Sequence, residues 1–221
     1  MTGFVSGVAG FLEATIVILV VGIFGAAEPD LYKSGLFHLV PPRQRRRVGE
    51  ALEAVVFNLR HWLMGQVILM VMLGITTAAG LWLIGMPQAL TLGIMAGILE
   101  LVPYIGAWLS AVPALLIALL EGPQYVLYTA GLYLFLHILE GYILHPLIQR
   151  RAAHLPPALV LVSQAVMGEM FGPLGLFVAA PLTVAIMVVL GMLYVEDTLG
   201  DETVHVPGEP GEEAKKATAP A

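Results

Sequence analysis

The stretch from Gly97 to Gly106, "GILELVPYIG", decides the fold, because it sets a carboxylate and a proline inside one of the least charged parts of the chain. From Leu63 to Leu99 there is no charged side chain, and between Arg60 and Arg150 the only formal charges are Glu100, Glu121 and Glu140. A charge in hydrocarbon is costly, and a proline there removes a backbone hydrogen bond. Glu100 followed by Pro103 therefore predicts a helix that breaks inside an apolar layer. Polar backbone of that kind is tolerated at membrane depth only when it is buried in protein or lines a cavity.

The surrounding composition agrees with a bilayer. Of 221 residues, 58% are hydrophobic and 12% charged, and the mean hydropathy of +0.88 is too high for a soluble domain. The fold class expected is an all-α, polytopic membrane protein. A span needs about 20 apolar residues, which predicts about three full transmembrane helices, near Phe4–Ala27, Leu63–Gly85 and Gln124–Ile148. The first lacks a basic leader and is too long an apolar run for a cleaved signal peptide. Val48–Trp62 has apolar residues at helical spacing between Glu50, Glu53 and Arg60, and reads as an interfacial segment leading into the second span. Arg43, Arg45, Arg46 and Arg47, then Arg150 and Arg151, and finally Lys215 and Lys216 mark the cytoplasmic side.

The transmembrane domain is expected to occupy residues 1–195 and an acidic cytoplasmic tail residues 196–221. Seven of the sixteen acids fall between Glu196 and Glu213, so the net charge of −6 reflects the tail and not the membrane domain. That segment has little to pack with and is predicted to be disordered.

Two interrupted segments, about 89–120 and 156–195, are predicted to form interrupted or re-entrant helical hairpins. Laid on each other at an offset of 69 residues, 87–106 and 156–175 share seven identities in twenty positions, among them Pro87 with Pro156, Glu100 with Glu169 and Gly106 with Gly175. Apolar composition inflates the leucine and alanine matches, whereas the proline, glutamate and glycine are harder to obtain by chance. One full span separates the copies, which predicts an inverted pair, a plan that recurs in secondary transporters with the binding site at the midplane.

Glu100 is expected at the C-terminal end of a half-helix, where unpaired carbonyls and desolvation both disfavour a bare carboxylate, so it should hold a proton or seek a cation. Glu169 is read in the same way. The alternative for both is a purely structural role, bonding to backbone freed at Pro103 or Pro173. Tyr133, His137 and Glu140 follow i, i+4, i+7 spacing and form one polar stripe on the crossing helix. His137 and Glu140 could relay a proton or bind a polar solute, or could simply bond a neighbouring helix. Pro103, Tyr104, Gly106, Gly172, Pro173 and Gly175 are placed at the hairpin tips, with Pro113 and Pro181 also ending or bending helices.

Other chemistries find little support. There is no cysteine, which removes disulfides, thiolate metal sites and a cysteine nucleophile. "HILE" offers two metal ligands at most, so no metal or other cofactor is expected. A phosphate-binding G-x-x-x-x-G-K-[ST], H-E-x-x-H and G-x-S-x-G are all absent, which argues against an enzyme or an ATP-driven pump. The basic cluster beside a span is a topology signal toward anionic lipid and not a nucleic-acid site.

"ELVPYIG" at 100–106, "LEGYILHPLIQRRAAHLPPAL" at 139–159, "FGPLGLFVAAPL" at 171–182 and "LYVEDTLGD" at 193–201 together resemble the autoinducer-2 exporter (AI-2E) family of transporters. The resemblance implies export of a small polar solute such as autoinducer-2, with sodium or lithium/proton antiport in some relatives. It also implies a homo-oligomer in the bacterial inner membrane. Family chains are usually longer, so the chain is expected to be short at its N-terminus, and a non-transporting membrane subunit is the alternative from another class. By motif, Pro103, Gly106, Glu140, Gly141, Pro146, Pro157, Gly172, Gly175 and Pro181 sit at family positions. Tyr142 stands where many relatives have Asn, and Glu100 where Asn is frequent, which favours cation or proton coupling in this member.

Overall fold

The computed structural model describes residues 40–42, 44–144 and 156–196, with Gly35 and His38. The expected first span at Phe4–Ala27, Arg43, Arg150, Arg151 and the tail beyond Glu196 lie outside the described residues. Among those described, all the regular structure is helical and there is no strand. They fall into two compact units, Phe57–Leu161 and the described parts of Met1–Val56 and Val162–Ala221.

Helix α1 runs without interruption over Arg45–Ile84. This corrects the expectation of an interfacial segment followed by a separate span. No proline occurs between Pro42 and Pro87, and nothing else stops the hydrogen-bond ladder. The helix ends where Gly85 takes φ 82 and Gln88 φ 59, just around the next proline. Its forty residues rise about 60 Å, twice the apolar thickness of a bilayer. Trp62, Gln66, Leu69, Leu73, Thr77 and Leu81 form its buried stripe, whereas Ile75, Trp82 and Leu83 stand exposed. An outer face this apolar suits lipid.

The predicted break is present. Helix α2, Ala89–Leu99, and helix α3, Ile105–Glu121, are joined by the five residues from Glu100 to Tyr104. They fold back on each other so tightly that a Cβ at Gly106 would overlap the carbonyl oxygen of Leu99. Gly93 and Gly97, a G-x-x-x-G pair, press α2 onto Gly74 and Ala78 of α1, and a Cβ at Gly97 would come within 2.7 Å of the Met70 carbonyl oxygen. Small residues are the usual means of close helix approach in membranes, where lipid offers no hydrophobic drive. Helix α4, Pro123–Leu139, starts with proline in its first turn after Gly122 (φ 128) and passes into a π-helical turn over Glu140–Leu144.

In the other unit, the part of α5 (Pro157–Phe171) from Val162 onward and α6 (Pro173–Val189, extended by a π-helical Leu190–Glu196) meet at Gly172. A Cβ at Gly175 would overlap the Met167 carbonyl oxygen, and one at Gly168 would strike Leu176. The two corners thus use Gly106 and Gly175 alike, at the offset of the sequence repeat. The arms differ, however. Pro173–Glu196 is 24 residues long and apolar enough to cross a membrane, as are Arg45–Ile84 and Pro123–Leu144, whereas Ala89–Leu99, Ile105–Glu121 and Pro157–Phe171 are shorter. Pro113 and Pro181 do not end α3 or α6 but lie within them.

Arg47 ties the start of α1 to the end of the π-helical extension, donating to the Glu196 carboxylate at 2.7 Å and to the Met192 carbonyl at 3.4 Å, with Glu50 alongside at 3.3 Å. The Glu196 side chain is only 11% exposed, so this pair should exceed a surface ion pair in worth.

Two outcomes follow for detergent-solubilised protein. Gly106→Ala should lower stability by about 2 kcal/mol, since the corner must open, while Gly131→Ala, with nothing among the described residues within 4 Å of its added methyl, should be neutral or stabilise by up to about 1 kcal/mol. Arg47→Glu should destabilise by roughly 1–3 kcal/mol, and Arg47→Glu with Glu196→Arg should recover part of that loss.

Candidate functional site

The site grows from the broken backbone. Glu100 caps α2, its N–H bonding the Ala96 carbonyl at 3.0 Å, and the next two residues turn back with Leu101 N–H to Ile98 and Val102 N–H to Leu99. Pro103 has no N–H to continue the ladder. The chain re-enters a helix through Ile105 N–H to Pro103 and Gly106 N–H to Val102, both 2.8 Å. Between them Tyr104 adopts φ 65, ψ −50, a conformation that costs a non-glycine residue on the order of 1–3 kcal/mol. One carbonyl at the break is satisfied from outside the hairpin: the side-chain amide of Gln66 on α1 donates to the backbone oxygen of Glu100.

The Glu100 side chain is completely buried, and no described N–H or O–H donates to either of its oxygens. The group that faces it is the Glu140 carboxyl, itself 3% exposed. Tyr104 lies close to both acids. Glu140 opens the π-helical turn at the end of α4, and such turns often serve to re-aim a functional side chain. Two carboxyl groups from a helix break and a π turn therefore share one interior. A proton on either would let one donate to the other, and a cation would find hard oxygen ligands. The Gln66 Oε1, without a donor among the described residues, adds an acceptor on the same amide that holds the Glu100 carbonyl.

The predicted stripe on α4 divides. Tyr133 and Glu140 point inward, and the Tyr133 hydroxyl donates to the Ser110 carbonyl on α3 at 3.2 Å. His137 sits at the flank, half-buried, with Nδ1 against the Tyr133 carbonyl at 2.7 Å and its ring 4.1 Å from that of Trp108. The structure thus brings Glu100, Glu140 and Tyr104 together and sets His137 against Tyr133 and Trp108 instead. Glu169 belongs to the other compact unit, where it stands exposed two residues before the end of α5; Gly172 (φ 64), Pro173 and Gly175 form the corner that follows it. Among the described residues no three His, Cys, Asp or Glu side chains gather as a metal site.

Attention to charges alone overlooks several buried polar residues. Asn58, Gln66, Thr77, Ser110 and Thr129 are all fully buried in the same unit as the carboxyl pair. The sequence does carry a signal for some of them. Gln66 and Thr77 are eleven residues apart, three helical turns, and Thr129 and Glu140 have the same separation, so each pair occupies one helix face.

The profile of the AI-2E family transporter matches residues 1–194. The chain is 31% identical over 193 residues to YrrI of Bacillus subtilis (strain 168), provisionally named a transport protein, covering 85% of this chain and 54% of the relative. It is 28% identical over 158 residues to the AI-2 transport protein TqsA of Escherichia coli (strain K12), covering 71% and 44%. A protein of Thermotoga maritima is 25% identical over 175 residues, covering 79% and 54%. The chain spans about half the length of the curated relatives it matches. Their names are those of transport proteins and not of enzymes, as the absent nucleophile motifs predict. With a polytopic helical membrane fold, a helix broken at "ELVPYIG" and a family profile that spans nearly the whole chain, the protein belongs to the AI-2E family of transporters.

Proposed function

We propose that this chain acts in secondary transport, exporting a small polar solute of the autoinducer-2 type, with Glu100 and Glu140 as the coupling pair. The observation that carries the reading is the burial of these two carboxyl groups face to face at a helix break. Ionisable groups inside a membrane domain are retained for function more often than for stability, since burying them is costly. The TqsA likeness supports the solute class, and the basic residues Arg45, Arg46 and Arg47 at the start of α1 support a cytoplasmic location for that end in the bacterial inner membrane. Movement of the α2–α3 hairpin about Glu100–Tyr104 would alternate access, and a homo-oligomer would complete the assembly.

A second reading within transport is sodium or lithium/proton antiport. It is favoured by the acceptor oxygens that lack a described donor, both of Glu100 and the Oε1 of Gln66. Acceptors without donors suit a proton or a hard monovalent cation.

The test uses inside-out membrane vesicles carrying the protein, a fluorescent reporter of the pH gradient, and autoinducer-2, sodium or lithium added in turn. Addition of the transported species should dissipate the gradient, and Glu100→Gln should reduce that response at least ten-fold without reducing the amount of protein in the membrane. Full retention in Glu100→Gln would remove the coupling role. Silence toward all three, beside an active full-length relative, would overturn the transport reading for this chain.

A further inference from the structure

The interior of the Phe57–Leu161 unit holds two hydroxyl groups that the carboxyl pair does not explain. Thr77 and Thr129 are both fully buried, and neither Oγ1 has a hydrogen-bond partner among the described residues. A threonine within a helix normally satisfies itself on a carbonyl one turn back, and this chain does so repeatedly: Thr76 bonds Met72, Thr183 bonds Ala179 and Ser110 bonds Ala107. Thr76 and Thr77 are neighbours on one helix, yet only the half-buried one is satisfied. An orphaned buried hydroxyl calls for an explanation, such as water that occupies the site for part of the functional cycle.

Position supplies the direction. Helices α1 and α4 pack antiparallel, since a Cβ at Gly80 would strike Leu132 while Leu73 and Leu136 share a buried cluster further along. Thr77 lies three residues to one side of the Gly80–Leu132 contact and Thr129 three residues to the other, about 9 Å apart along the axes. Tyr133, whose hydroxyl reaches Ser110, lies between those levels. Thr129, Tyr133 and Glu140 fall on one face of α4, eleven residues or about 16 Å from end to end. Gln66 and Thr77 repeat that spacing on α1. The hydroxyls thus continue the polar face away from the carboxyl pair and toward the end of the bundle at Ile84 and Gly122.

Above them the packing is apolar. Leu81, Met86, Ala114 and Ala118 belong to one buried cluster with Tyr133. We propose that Thr77 and Thr129, with the Tyr133 hydroxyl, line a water-accessible path from the Ile84–Gly122 end to Glu100 and Glu140, closed in this conformation by that cluster. The path supplies water and protons to the pair, and it rests on reading that pair as the coupling site.

The chain contains no cysteine, so single cysteines can be introduced without background. Thr77→Cys and Thr129→Cys, with Ile75→Cys on the exposed apolar face as control, would be treated in open membrane sheets with the charged thiol reagent MTSET. The cysteine thiolate, which forms in water and not in lipid, attacks the reagent's sulfenyl sulfur, forming a mixed disulfide and releasing methanesulfinate. Both threonine positions should react at least ten-fold faster than position 75. Reaction at only one, or at neither, would overturn a continuous path, and since labelling needs no transported species it stands apart from the vesicle assay. As a second measurement, Thr77→Val and Thr129→Val keep the shape and remove the hydroxyl. Each should leave the melting temperature unchanged or raised while slowing transport at least ten-fold; unchanged transport would mean that the hydroxyls only pack.

Discussion

Backbone that leaves a helix in hydrocarbon must find its hydrogen bonds inside the protein, and the break between Leu99 and Ile105 is where this chain meets that demand. Short turn bonds satisfy part of it, through Leu101, Val102, Ile105 and Gly106. Gln66 satisfies another part by donating to the Glu100 carbonyl from a different helix. The break is thereby anchored to α1, and the side chain of Glu100 is carried into the interior with it. The position of the carboxyl pair follows from that arrangement.

Close packing makes the arrangement possible. The hairpin can fold only because Gly106 admits the Leu99 carbonyl, and it can lie against α1 only because Gly74, Gly93 and Gly97 have no side chains between the backbones. Such contacts are rigid, as a single methyl would strike main-chain atoms. At the tip the same rigidity holds Tyr104 in a conformation that it would not choose. Strain at Tyr104 and a π turn that begins at Glu140 thus accompany the two acids, and both are devices that a packed interior can sustain.

The two hairpins show how a shared sequence pattern can serve different ends. Gly106 and Gly175 make equivalent corners, but Glu100 is buried while Glu169 is exposed. In the first, both arms are short and Tyr104 and Pro103 separate them. In the second, α6 continues through Pro181 to Glu196, where Arg47 receives it.

Much of this was legible in the residues themselves. Mean hydropathy and the near absence of charge between Arg60 and Arg150 determine a membrane domain, because desolvating charge and unpaired backbone is too costly for anything but apolar helices. Pro103 and Gly106 determine a break, since one lacks a donor and the other lacks a side chain. What the sequence could not determine is which polar groups meet. Glu100 and Glu140 are forty residues apart, and their encounter depends on how α2 seats against α1 and on a π turn that local propensity does not announce. Gln66, Thr77 and Thr129 carry no charge and are unremarkable along the chain. Their burial, and hence their significance, exists only when several helices close around them, because desolvation is a property of the packed structure and not of any segment within it.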